Sequence, residues 1–206
     1  PQYLAVQWLN ENENLRDFSD EKKLTRYALA TLYYSTGGGQ SWVDETNWVT
    51  DTNECFWFTT SEFSCNPQNE FTLLELDANG LRGELPADVS LLSRLTSFSV
   101  RSSAGPALFG SLPTELGLLS SLTSVSIVGN TFSGGIPATY GQLTDIEMLD
   151  LSRNAIIGEI PQEFSSFTNL KSLNLGDNQL VGRLRSTLLS AATGLVELLL
   201  GGNSLS

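Results

Sequence analysis

Carboxylates and guanidiniums at regular intervals are the groups in this 206-residue chain that could do chemistry: Glu75, Asp77 and Asp150, with Arg101 and Arg153. Two carboxylates about 5 to 9.5 Å apart could cleave a glycosidic bond. Carboxylates interleaved with guanidiniums on one surface could instead recognise a charged ligand without altering it. The chain has no histidine, which excludes Ser-His-Asp and Cys-His nucleophiles and His-ligated zinc. Its two cysteines, Cys55 and Cys65, sit in an aromatic stretch with Phe56, Trp57, Phe58 and Phe63. They are either two buried thiols or a disulfide closing a short loop, a bond that belongs to oxidising compartments, and they do not form a metal site. The acids Asp44, Glu45, Asp51 and Glu54 could bind calcium, but EF-hand spacing is absent and a solvated acidic loop is the simpler reading.

A repeat with a period of 24 must hold the charged residues in place. Written as apolar-x-x-apolar-x-apolar-x-x-Asn-x-apolar-x-Gly-x-apolar-Pro, its first copy is Phe71, Leu74, Leu76, Asn79, Leu81, Gly83, Leu85 and Pro86. The third copy, from Leu122, and the fourth, from Ile146, match at every position. The fifth, from Leu170, has Arg185 where Pro is due, and a sixth, from Leu195, reaches Leu205. The second, from Leu95, departs most, with Ser103 at the Asn position and three extra residues within Ala104 to Ala107.

Each copy can bury its apolar positions only against its neighbours. That predicts strands stacked about 4.8 Å apart in a parallel sheet, with the Gly-x-Leu-Pro returns lining the other side. Asn is needed because its amide can satisfy backbone groups left unpaired by the tight turn, and Ser103 is too short to do this equally well. The 103–108 loop, with Gly105 and Pro106, should project from the sheet edge, as a tolerated indel or as a contact loop.

Alternation along the strand turns Leu74 and Leu76 inward and sets Glu75 and Asp77 on the concave surface. One concave column then reads Glu75, Ser99, Ser126, Asp150, Asn174, Leu199. The next runs from Asp77 to Arg101, and Arg153 follows beside it. Glu75 and Asp150, three strands apart, are about 14 Å from each other, too far for a glycosidase pair. Glu75 and Asp77 are close but share one strand, with no cleft implied. The expectation is a binding face, with no catalytic residue, no metal and no cofactor, in a protein that is not an enzyme. Arg101 and Arg153 are its anchors, and both have acids near enough to pair with them. The face is either solvated, with internal ion pairs, or a recognition surface centred on Glu75, Asp77, Arg101, Asp150 and Arg153. Regular Ser, Thr and Asn columns could also order water as an ice-binding array does, but charges and glycines interrupt them.

Residues 1–70 follow different rules. Tyr3 to Leu9 is a short helix candidate, and Ser19 or Asp20 can cap a second helix that runs through Leu24, Tyr27, Ala28, Thr31 and Leu32 to Gly37-Gly38-Gly39. Trp42, Trp48 and Trp57 then lead into the cysteine loop. A solenoid's first strand has an unpaired edge, so this aromatic segment reads as a cap, with a sugar-stacking site as the alternative. The net charge is -12, and residues 1–70 hold 11 acids and 4 bases. Such a charge repels phosphate backbones and anionic lipids, so neither nucleic acid nor a membrane surface is an expected partner. No apolar run of 18 residues occurs, so no membrane insertion by this chain is expected. The chain starts at Pro1 without Met, which suits an upstream signal or anchor segment. Leu198, Leu200 and Leu205 lie beside an open edge, which further repeats, a C-terminal cap or another chain should cover.

The repeated Asn79-x-Leu81-x-Gly83-x-Leu85-Pro86 resembles the plant-type leucine-rich repeat of receptor ectodomains and polygalacturonase-inhibitor-like proteins. Cys55-Phe56-Trp57 with Cys65 looks like that family's Cys-x-Trp cap element, and the resemblance implies a disulfide. The stretch from Arg26 to Gly38, with Ala5-Val-Gln-Trp-Leu9, resembles the cap of diatom leucine-rich-repeat proteins. The family implies an α/β solenoid with a parallel sheet on the concave side and a helical, aromatic-rich cap. The expected organisation is a cap over 1–70 and leucine-rich repeats over 71–206, five full copies and a truncated sixth. The expected function is an extracellular or cell-surface module that recognises a protein or peptide, or a glycan, through its concave face. The alternative is a structural or adhesive element of a cell wall or extracellular matrix that binds polysaccharide or calcium.

Overall fold

The computed structural model describes residues 1–57, 64–103, 107–184 and 186–206. Phe58, Phe63, Ala104, Gly105, Pro106 and Arg185 lie outside the described residues, and with them the middle of the inserted loop. The chain opens with two helices, α1 (Gln2–Asn10) and α2 (Asp20–Ser35). The Ser19 side chain accepts the Lys22 N–H at 3.2 Å and so begins α2, while Asp20 and Glu21 face the partial positive charge of its first turn. Just past α2, Gly37 takes a φ of 85°, and the Gly38 N–H folds back onto the Tyr33 carbonyl at 2.8 Å.

α2 buries Leu29, Ala30, Leu32 and Tyr33, and also Arg26. The Arg26 guanidinium donates to the carbonyls of Thr50 and Thr52 at 2.6 and 2.9 Å and pairs with buried Glu54 at 3.1 Å. It lies 5.0 Å from the rings of both Trp8 and Trp57. A dry charge costs several kcal/mol unless other groups replace its hydration; here a carboxylate, two carbonyls and two ring faces do so. Trp42, Trp48 and Trp57 are all buried, with centroids 4.7 and 5.4 Å apart along the series. Their faces are therefore taken up by each other and by α2, which removes the sugar-stacking alternative. Cys55 and Cys65 form a disulfide, Cα to Cα 5.3 Å, and Cys65 bridges antiparallel to Phe71. That bond fastens the last cap loop to the first repeat.

Copies one to three supply β1 (Leu73–Glu75) and β2 (Gly83–Glu84), β3 (Ser97–Ser99) and β4 (Leu108–Ser111), and β5 (Ser124–Ser126) and β6 (Thr131–Gly134). Copies four to six supply β7 (Met148–Asp150) and β8 (Ala155–Gly158), β9 (Ser172–Asn174) and β10 (Gln179–Gly182), and β11 (Glu197–Leu199) and β12 (Ser204–Leu205). The odd strands form one parallel sheet in chain order, the concave one, and the even strands form a second. The repeat pattern predicts only the first, because the return strands are short and all but β12 contain a glycine. Gly110, Gly134, Gly158 and Gly182 have φ values of 87°, 78°, 83° and 94°. The bend they allow, unfavourable for an L side chain, lets each return pair with its neighbours before turning into the core.

After Pro86, Pro113, Pro137 and Pro161 comes one 3-10 segment per copy, each inserting one buried side chain: Val89, Leu116, Tyr140 or Phe164. Proline suits the start of such a turn because no N–H is needed there. The core between the layers is fully buried at Leu74, Phe98, Val125, Leu149 and Leu173 from one sheet and at Phe132, Ile156 and Leu180 from the other. Each such side chain contributes roughly 1.5–3 kcal/mol of burial.

The Asn column does what its chemistry predicts. Asn154 donates to the Ile127 carbonyl at 2.7 Å and accepts the Phe132 N–H at 3.2 Å, both in the preceding copy. Asn130, Asn178 and Asn203 repeat the bridge to Val100, Leu151 and Leu175. Asn79 has no copy before it, and the cap substitutes: Asp44 offers its carbonyl at 2.8 Å and its N–H at 2.6 Å. Among the described residues Ser103 makes no such bridge, as its short side chain predicts.

Candidate functional site

Strand register aligns the concave column as alternation requires: Glu75 beside Ser99, then Ser126, Asp150, Asn174 and Leu199. Around it the structure assembles two separate groups. In the first, one oxygen of Asp77 accepts the Ser99 hydroxyl at 2.6 Å and the Arg101 backbone N–H at 2.9 Å. The Arg101 Nε lies 3.6 Å from the other Asp77 oxygen and donates to the Ser126 hydroxyl at 2.7 Å. Ser99 and Ser126 are buried beneath this pair, while Asp77 and Arg101 remain about half-exposed. Such an exposed pair contributes little to stability, about 0–1 kcal/mol, but it fixes the direction of the guanidinium.

In the second group Asp150 accepts the Ser152 N–H at 3.0 Å and the Asn174 amide at 3.2 Å. Arg153 stands on the adjoining turn with a φ of 58°, in the left-handed region shared with Ala78 and Asp177. It is exposed, and among the described residues it has no ion-pair partner. Of the two arginines with acids near enough to pair, Arg101 is paired and Arg153 is not, among the described residues. Glu75 shares its face with the first group.

The four cap acids do not converge. Glu54 is held by Arg26 and by Lys22 at 3.3 Å, Glu45 by the Tyr33 hydroxyl and the Gly39 N–H, each at 2.7 Å, and Asp51 by Asn12 at 2.6 Å. Asp44 caps the Thr46 N–H at 2.9 Å. A cavity of about 330 Å³ lies between α2 and the first repeats. Its charges are also matched internally, with Arg94 bridging Glu21 at 3.0 Å and Glu70 at 3.6 Å.

Sequence reasoning missed the buried Arg26–Glu54 pair and the outward face of the second sheet. A signal for the first was present, since Arg26, Leu29, Ala30 and Tyr33 share the three-and-four spacing of a buried helix face. For the second, the clue was the absence of charge in the even strands after β2, which ends at Glu84.

Residues 120–180 match the family model described as Leucine rich repeat. The fold is a leucine-rich-repeat solenoid. A search of curated proteins gives no match. Among solved structures, a plant ice-binding protein superposes over 90% of this chain and 56% of its own, at 28% identity and a TM-score of 0.77. The plant peptide hormone receptor RGFR1 in complex with RGF2 superposes over 66% of this chain, at 34% identity and a TM-score of 0.61. The BIR3–SERK2 complex of Arabidopsis thaliana covers 87% of this chain and 93% of its own, at 26% identity and a TM-score of 0.67. The leucine-rich-repeat chain thus spans about half of the ice-binding protein, 56%, and 21% of RGFR1. Among the described residues no helix is long and apolar enough to cross a membrane.

Proposed function

We propose that this leucine-rich-repeat chain is an extracellular or cell-surface binding module, not an enzyme, that recognises a protein or peptide through its concave face. Residues 1–70 act as its cap, with a diatom-like sequence pattern, and residues 71–206 as its repeats. The observation that carries the reading is Arg153, an exposed cation without an ion-pair partner among the described residues, standing beside Asp150 and two strands from the fixed Arg101 guanidinium. Guanidiniums held on a rigid sheet recognise carboxylates and backbone carbonyls with little ordering cost. Likeness to the peptide hormone receptor RGFR1, solved in complex with RGF2, and to the BIR3–SERK2 complex supports a protein or peptide ligand. The disulfide supports an oxidising compartment. The test is capture from extracellular and cell-surface extracts by the immobilised chain, beside a control carrying Arg101→Glu and Asp150→Lys. A partner held by the native chain and lost by the control is expected; capture indifferent to both substitutions overturns the reading.

A second reading is that the chain binds ice. It is favoured by the superposition on the ice-binding protein, which covers nearly the whole chain, cap included. The amount of labelled protein taken up by a slowly growing ice crystal, against an unrelated solenoid of similar size, tests it.

A further inference from the structure

We infer that the outward face of the second sheet is the surface that meets ice, an assignment that rests on the ice reading above. Charge distribution singles out this face. On a chain of net charge -12, the outward residues of the even strands from β4 onward pair as Phe109 with Thr131, Ser133 with Ala155, Ile157 with Gln179 and Val181 with Ser204. None of these residues carries a charge. Glu84 of β2 stands beside Phe109 at the first edge, and Glu159 and Arg183 follow β8 and β10. The concave sheet, by contrast, holds Asp150 within an inner strand and Glu75 and Glu197 in its two outer ones.

A neutral lattice of water is best met by a face from which no ion must be stripped of its hydration, since desolvating an unpaired charge is far more costly than desolvating a hydroxyl or methyl. The remaining groups are suited to the task. Phe109, Ile157 and Val181 are exposed, at 45%, 49% and 46%, and offer apolar surface. Hydroxyls lie between them in fixed directions: Thr131 donates to the Leu108 carbonyl at 3.0 Å and Ser133 to the Gly110 carbonyl at 3.3 Å, each on the preceding strand. Ser206 does the same to Gly182 at 3.4 Å. With their protons engaged, these oxygens face outward as acceptors, two on β6 and one just past β12. An uncharged face of apolar side chains and hydroxyls suits an uncharged ligand.

The experiment compares ice uptake of the native chain with that of Ile157→Lys/Val181→Lys, on exposed positions, and of Glu197→Lys on the concave face. Circular dichroism verifies that each is folded, and Ile157→Val/Val181→Ile serves as the conservative control. The expected result is a loss of at least about tenfold in the first variant, with native-like uptake in the concave and conservative variants. If the native chain is excluded from ice like the unrelated solenoid, the ice reading fails and this assignment with it. If the native chain is taken up and the lysine variant equally so, ice binding stands and the assignment to this face is overturned.

Discussion

The cap and the repeats keep buried polar groups satisfied in opposite ways. In the cap each solution occurs once: one guanidinium between two tryptophans, one buried carboxylate beneath it, one disulfide. In the repeats a single solution, an Asn reaching back, recurs from Asn79, which meets the cap, through Asn130, Asn154 and Asn178 to Asn203, which meet the preceding copy. A unique arrangement concentrates stability in a few residues, whereas a repeated one distributes it and lets a single copy such as the second tolerate Ser103. The two regions can also be watched separately, because all four tryptophans (Trp8, Trp42, Trp48 and Trp57) lie in the cap. Fluorescence therefore reports the cap alone, whereas far-ultraviolet circular dichroism reports the strands together with α1 and α2.

The largest expected effect is in the cap. Glu54→Ala leaves Arg26 buried without its counter-charge and should destabilise the cap by about 3–5 kcal/mol. Urea titration should then show the fluorescence transition ahead of the circular dichroism transition; coincident curves would mean that cap and repeats unfold as one unit and would break the comparison. Asn154→Ala orphans the Phe132 N–H and the Ile127 carbonyl and should cost about 1–3 kcal/mol, read as a lower circular dichroism midpoint. Arg153→Gly should raise that midpoint by about 1 kcal/mol, because the left-handed turn there suits glycine. The gain should come with loss of any ligand that depends on the arginine.

The smallest effect belongs to Tyr140, which fills a 3-10 position held elsewhere by Val, Leu or Phe. Its buried hydroxyl finds no partner among the described residues, so Tyr140→Phe should stabilise by about 0.5–1 kcal/mol. Burial, with a smaller contribution from Glu115, also pushes its phenol far above the ordinary value of 10.0. Below pH 10 the phenol is protonated in both folded and unfolded chains, and the full stability is present. As pH rises beyond that, the unfolded chain ionises and the native one resists, so stability falls. The substitution should flatten this alkaline loss in part, leaving the share due to Tyr33, whose phenol is raised by burial and then by Glu45.

The repeats were legible because a 24-residue period carries strand, turn and core together, and because alternation fixed which residues share the concave column. The start of α2 at Ser19 was equally readable, being a local matter of one side chain and one N–H. What escaped depended on contacts far apart in sequence or on a surface property. Arg26 is buried only because Glu54, 28 positions on, comes back to it through the tryptophan-lined loop. The pairing of Arg101 with Asp77 depended on side-chain placement that residue types do not announce. The second sheet was hidden by its shortness, since β2 and β12 have two residues each, below the length at which alternation is recognisable.

The asparagine bridges have one further consequence, which concerns time. Asn130, Asn154, Asn178 and Asn203 each reach back to a carbonyl and an N–H of the copy before, and Asn79 reaches back to Asp44. None waits for a copy still to come. On a ribosome, where the amino end emerges first, every new turn meets its template already in place, and the cap is the first template. The solenoid is thus built to grow in one direction, like a zip whose slider is the cap.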